Sequence, residues 1–214
     1  MTWRALGGRV ALRRTVLFRH EAAVDGRPEG IDGFRFGALG LEHFVRSGLV
    51  AGRGRSERYA ARLEAGHRCW GHVGADGEIA SFLWVTPAGS GITVPIGFGL
   101  TLRPPPGAAY VWDCRTARAV RGRGLYRAGL RAVARLSRDG GATSVWIDCD
   151  PDNVPSIRAI RRAGFAPSGG WSLLRLGPVV ACLAGRASAL LRHSAEVTLD
   201  PVSGAPRSSR EQTP

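Results

Sequence analysis

The chain has 214 residues, with 30 Lys+Arg against 17 Asp+Glu and a formal net charge of +13. This length suits one domain with a buried core, and 44% hydrophobic content excludes a wholly disordered chain. Every basic residue is arginine, and with abundant Ala, Gly and Pro this reads as GC-rich coding bias. The charge therefore permits an anionic ligand without requiring nucleic acid.

At the N terminus, "MTWRALGGRVALRRTVLF" is broken by Arg4, Arg9, Arg13 and Arg14, which makes a poor signal peptide. No run reaches the roughly 18 apolar residues of a membrane span; residues 179–191 come nearest but carry Arg186. The four cysteines (Cys69, Cys114, Cys149, Cys182) lie far apart, which suits isolated reduced thiols and neither a disulfide framework nor a metal site. A cytoplasmic protein without a transmembrane segment is expected. One domain is expected over residues 1–200, followed by a polar, disordered Pro/Ser tail over 201–214.

In chain order, residues 15–20 read as a strand, and "SERYAARLEAG" reads as a Ser-capped helix ending at Gly66. It carries Tyr59, Ala60, Leu63 and Ala65 on its apolar side. Residues 67–86 form two β-rich runs joined at Asp76-Gly77, a hairpin signal. "GITVPIGFGLTL" is a further strand pair, and "RPPPG" breaks it. "AAYVWDCRTA" is a strand, and residues 125–138 are helical with Ala128, Ala132 and Leu136 on one face. Arg123, Arg127, Arg131 and Arg135 form a stripe that is read as a solvated face. A strand with Val145, Ile147 and Cys149 on one side follows. "NVPSIRAIRRAGF" is then a helix stopping at Gly164, and "GGWSLLRL" is another strand. Strand–helix–strand–helix after a hairpin predicts a mixed α/β chain.

Between the strand at "AAYVWDCRTA" and the helix from Leu125 lies "RGRGLY", residues 121–126. A helix N-terminus offers unpaired N–H groups to an anion, and glycines let an oxygen approach the backbone. A Walker loop needs Lys, which this chain lacks, and the dinucleotide fingerprint fails at Arg127 in its third glycine position. Arg121-Gly122-Arg123-Gly124-Leu125-Tyr126 matches a third loop, [Q/R]-x-x-G-x-[G/A], except at Tyr126. About thirty residues on, "DNVPSIRAIRRAGF" supplies Asn153, Ser156, Ala159, Gly164 and Phe165 in an Asn-led helix ending in Gly-Phe. Over residues 107–170 the chain resembles the GNAT superfamily of acyl-CoA-dependent N-acetyltransferases.

The resemblance implies a twisted mixed β-sheet flanked by helices, an α/β (α+β) fold whose central strands, about 109–116 and 144–150, splay apart. It implies acetyl-CoA as co-substrate and no metal. Backbone N–H groups of Gly122, Arg123, Gly124, Leu125 and Tyr126 are expected to hold pyrophosphate, with Arg121 and Arg123 adding charge. Cys114 and Thr116 are expected along the pantetheine arm, and Asn153 or Ser156 at the far end of the cofactor. An amine would attack the thioester directly in a ternary complex, with Asp113 the first candidate base, then Asp148 and His67. The family's Tyr acid, seven residues after the motif Asn, is replaced by Ile160, which leaves Tyr126 or water as donor. Cys114 and Cys149 are read as core thiols, not nucleophiles. The expected partner is a small-molecule or peptide amine and not a nucleic acid, and a homodimer is compatible with the reading. The rival is a non-catalytic domain that binds CoA or nucleic acid on the same scaffold.

Overall fold

The structure is a computed structural model that describes residues 4–6, 10–21, 30–47, 49, 55–176, 179–184, 187–192, 196–199 and 206–208. Strands β1 (Arg4–Leu6), β2 (Val10–His20) and β3 (Phe34–Ala38) precede helices α1 (Leu41–Arg46) and α2 (Arg55–Glu64). Strands β4 (Arg68–Gly74), β5 (Ile79–Thr86), β6 (Val94–Gly97), β7 (Leu100–Arg103) and β8 (Ala108–Thr116) follow. A 3-10 turn over Arg118–Val120 leads to α3 (Leu125–Asp139), β9 (Ser144–Cys149), α4 (Val154–Arg162) and β10 (Ala166–Leu176). Last come β11 (Val179–Ala184), β12 (Ala187–Arg192), β13 (Glu196–Leu199) and β14 (Pro206–Ser208).

Among the described residues the large sheet runs β12-β11-β10-β2-β9-β8-β5-β4-β3, with β1 on β2. Its neighbours are antiparallel except β8 and β9, which are parallel with α3 as the crossover. A four-stranded sheet, β14-β13-β7-β6, packs on the opposite face. There Val94, Ile96, Leu100, Leu102 and Val197 share a core with Trp84, Tyr110, Trp146, Trp171 and Leu173. On the helical face, Leu130, Val133 and Ala134 of α3 and Ile160 of α4 meet Val111, Val145 and Ile147. Burying each Leu or Val side chain there contributes about 1.5–3 kcal/mol. Gly129 lies mid-helix where a Cβ would fall 2.7 Å from Leu83 Cδ1, so its absence lets α3 seat closely on β5.

The predicted hairpin is present as β4–β5, turning at Gly77 with φ of 81°. The predicted pair within residues 91–102 forms β6 and β7, but it belongs to the second sheet. Ser56 lies inside α2, which already includes Arg55, and Tyr59 is its buried anchor. The buried face of α3 includes Gly129, Leu130, Val133 and Ala134 along with Ala128 and Ala132, leaving Leu136 39% exposed. The face turns because the helix packs against α4 as well as the sheet. Residues 179–184 and 187–192, the most apolar stretch by sequence, are two antiparallel strands. No helix among the described residues is long and apolar enough to cross a membrane. Of the tail expected after residue 201, Pro206–Ser208 is extended and paired to β13, and the remainder lies outside the described residues.

Candidate active site

The site begins where β8 and β9 part. They pair from Ala108↔Ser144 to Val111↔Ile147 and no further. Beyond Val111, β8 stays with β5, where Trp112 faces Trp84 and Arg115 faces Phe82. Asp113 and Cys114 thus oppose Leu83 alone, a β-bulge, and Asp113 takes a φ of 40°. β9 stays with β2 through Leu17↔Asp148 and Val16↔Cys149. The opening is flanked by an edge of β8 over residues 112–116 that β9 does not pair.

A cleft of about 750 Å³ lies at this opening. Its floor is the loop into α3, where Gly122 and Gly124 have φ of 83° and 84°, backbone that side chains rarely adopt. A Cβ at Gly122 would meet nothing within 4 Å, and one at Gly124 only Ile31 Cδ1 at 4.0 Å. These glycines therefore serve backbone conformation and open approach, not tight packing. First-turn N–H groups of α3 have no intrahelical acceptor, and the positive end of the helix dipole adds to them. Arg115, Arg121, Arg123, Arg127, Arg158 and Arg162 line the walls. An open backbone cradle ringed by arginines fits a phosphorylated ligand such as the pyrophosphate of acetyl-CoA.

Cys114, Thr116, Arg121, Gly122, Arg123, Gly124, Leu125, Tyr126, Asn153 and Ser156 all line this cleft. Several are engaged with the protein itself. Arg121 Nε donates to Thr116 O at 3.3 Å, and Arg123 Nη2 donates to Asp32 O at 3.2 Å with its guanidinium over Phe34. Asn153 is the N-cap of α4, its Oδ1 accepting from Ser156 N at 3.2 Å. Ser156 Oγ donates to the Tyr126 hydroxyl at 3.2 Å.

A second cleft of about 410 Å³ shares Cys114, Arg115, Tyr126, Asn153 and Ser156 with the first. Asp113, Asp148 and Tyr126, the candidate catalytic groups, all line it. Asp148 Oδ2 pairs with Arg13 Nη2 at 3.1 Å, and its Oδ1 accepts from Tyr110 Oη at 3.1 Å. Burial pushes its carboxyl above the usual range, against the opposing pull of Arg13 and Tyr110. Both oxygens of Asp113 face guanidinium groups, Arg62 Nη1 at 2.7 Å and Arg115 Nε at 3.4 Å. Burial holds the Tyr126 phenol well above its ordinary value, so it keeps its proton at neutral pH. Burial also raises the Cys114 and Cys149 thiols, which argues against thiolate nucleophiles at either position.

His67 lies outside both clefts, with its ring edge-on to Trp112. Trp112 Nε1 donates to Thr86 Oγ1 at 3.1 Å, and His67 Nδ1 lies 3.0 Å from the same oxygen. Burial and then Arg62 lower the His67 pKa to about 4, so the imidazole is neutral at pH 7. Ile160 is fully buried in the helical-face core, so the position of the family's acid points away from the cleft. Sequence reading did not single out Arg13, Tyr110, Arg62, Arg158 or Arg162. Only the last two carried a legible signal, an i, i+4 arginine pair on the Asn-led helix that follows β9.

A family model described as "Acetyltransferase (GNAT) family" matches residues 44–165. Over 114 residues the chain is 32% identical to a streptothricin acetyltransferase of Streptomyces lavendulae, covering 53% of this chain and 52% of that protein. It thus spans about half the length of this curated relative. A GCN5-related N-acetyltransferase from Sphaerobacter thermophilus superposes with a TM-score of 0.55 at 18% identity, over 82% of this chain and 54% of that one. A GNAT-family acetyltransferase from Colwellia psychrerythraea gives 0.51 at 11% identity, over 87% and 58%. The two structural likenesses concern the fold.

Proposed function

From the premise that the chain belongs to the acetyltransferase (GNAT) family, we propose that it transfers the acetyl group of acetyl-CoA to a primary amine. One observation carries the reading: a glycine-loop cradle lies at the split of β8 and β9, and an adjoining cleft carries a half-buried carboxylate and a half-buried phenol. The amine enters the second cleft and the thioester lies where the clefts meet, near Cys114 and Tyr126. Asp148 takes a proton from the incoming ammonium, directly or through water; its raised pKa favours proton acceptance. Nitrogen then bonds to the thioester carbon, the C–S bond breaks, and Tyr126 O–H protonates the departing thiolate. The proton left on the new amide nitrogen passes through water to the phenolate, restoring Tyr126. Ser156 donates to the Tyr126 oxygen, and the phenol hydrogen is directed at the Cys114 sulfur, beside the proposed thioester position.

The relative named for streptothricin supports a small-molecule amine over a peptide. The test is an acceptor screen over amino sugars, amino acids, polyamines, streptothricin-like amines and peptides, read by free thiol and acetylated product. Thiol release that depends on an amine is expected, as is a rise in melting temperature with acetyl-CoA. No transfer and no thermal shift, together with polyanion binding that weakens steeply as salt rises, would instead favour a binding domain.

A further inference from the structure

The Arg62 guanidinium is packed among three aromatic rings, its Cζ 4.4 Å from the ring of Trp112, 5.1 Å from Trp84 and 5.2 Å from Tyr59. From that box it reaches Asp113 at 2.7 Å, and the two side chains are only 15% and 20% exposed. Trp112 is itself fixed by its hydrogen bond to Thr86. The far end of this chain of contacts is a residue in left-handed backbone, which L side chains avoid unless their surroundings hold them there. Next to it is Cys114, which lines both clefts.

We propose that Arg62 and Asp113 form a strut that locks the β8 bulge, with Asp113 acting through its backbone and Arg62 as a positioning residue for acetyl transfer. Without the bulge, β8 would slip by one residue against β5, and side chains from Cys114 onward would exchange faces. The edge of β8 that borders the opening would then lose its alignment with the glycine loop. This inference rests on the acetyl-transfer reading for its functional consequence, though not for the strut.

The test compares Asp113→Gly with Asp113→Ala, each with and without Arg62→Ala. Glycine takes positive φ freely and has no carboxylate, so it separates conformation from chemistry. Asp113→Gly is expected to retain kcat within about threefold, whereas Asp113→Ala loses on the order of 30-fold with little change in KM for acetyl-CoA. Arg62→Ala should match the alanine loss with Asp113 present and cost much less beside Asp113→Gly. Equal inactivity of the glycine and alanine variants would overturn the proposal in favour of a chemical role for the carboxylate. So would an Arg62→Ala loss that is the same in both backgrounds. Hydrogen exchange supplies a readout independent of turnover: amides of residues 112–116 should exchange about tenfold faster in Arg62→Ala, and those of 108–111 should not change. Unchanged exchange at 112–116 refutes the strut even if the enzyme is active. Absent turnover in the unaltered protein would instead sink the acetyl-transfer reading and leave the exchange result to decide the strut.

Discussion

The two clefts share a boundary but are built differently. The cofactor-side cleft is lined by two stretches of chain, residues 114–127 and 153–162. The acceptor-side cleft draws on β2, β6, β8 and β9, with residues as distant in sequence as Arg13 and Asp148. In the proposed function, the first recognises an anion mainly with backbone N–H groups from one loop and one helix start. The second works through side chains that sheet topology brings together. A phosphate seat therefore compresses into a short motif, whereas an amine seat does not.

If the two clefts divide binding from chemistry, variants should divide the same way. The largest effect is expected for Asp148→Asn: a loss of roughly a thousandfold in kcat, with acetyl-CoA affinity unchanged. The unaltered enzyme should lose activity as pH falls through the folded pKa of Asp148, because the base must be deprotonated. That limb lies above the ordinary carboxylate value of 3.8, since burial raises it. Steady-state kinetics across pH, with melting curves to confirm folding, measures both. Gly124→Asp comes next. It forces a side chain into φ of 84° and sets a carboxylate at the anion seat. A weakening of acetyl-CoA binding by about a hundredfold is expected by calorimetry. Should Asp148→Asn weaken acetyl-CoA binding as much as Gly124→Asp does, the division between the clefts collapses.

The same contrast explains what could be read from sequence. The glycine loop, α3, β8, β9 and α4 occupy successive segments whose signals are local: glycine at positive φ, an Asn cap, helical and β periodicity. The ten residues expected to touch the cofactor accordingly fall on one cleft. Arg13 looked like one more surface arginine in an arginine-rich chain. It is buried because its guanidinium pairs with Asp148, 135 positions away, and donates to Ile96 O of the second sheet. Tyr110 looked like a strand aromatic, and nothing local marks its hydroxyl as a partner for Asp148. Helix α1 is six residues long and β3 five, too short to build a periodic signal. β11 and β12 were legible only as an apolar run, since their pairing depends on a turn and a register. Asp113 shows the limit most clearly. Its position on the central strand suggested a base, but only coordinates reveal a bulge, a positive φ and two guanidinium partners.

The smallest effect tests how far the cofactor cleft depends on backbone. Arg158 and Arg162 are one turn apart on α4, line the cleft and are exposed to solvent. Charges in that setting attract an anion only through water, so salt screens them. Replacing either by Gln is expected to weaken acetyl-CoA binding about threefold at low ionic strength, and the difference should vanish near 0.5 M salt. Most of the Gly124→Asp loss should persist there, because steric exclusion and a wrongly placed backbone are not screened, although the added carboxylate's repulsion is. Titrations of the three variants at two salt concentrations make the comparison. Losses at Arg158 or Arg162 that match Gly124→Asp and survive high salt would mean that side chains dominate the cofactor cleft too. The short motif would then be a marker of the fold and not the main source of its affinity.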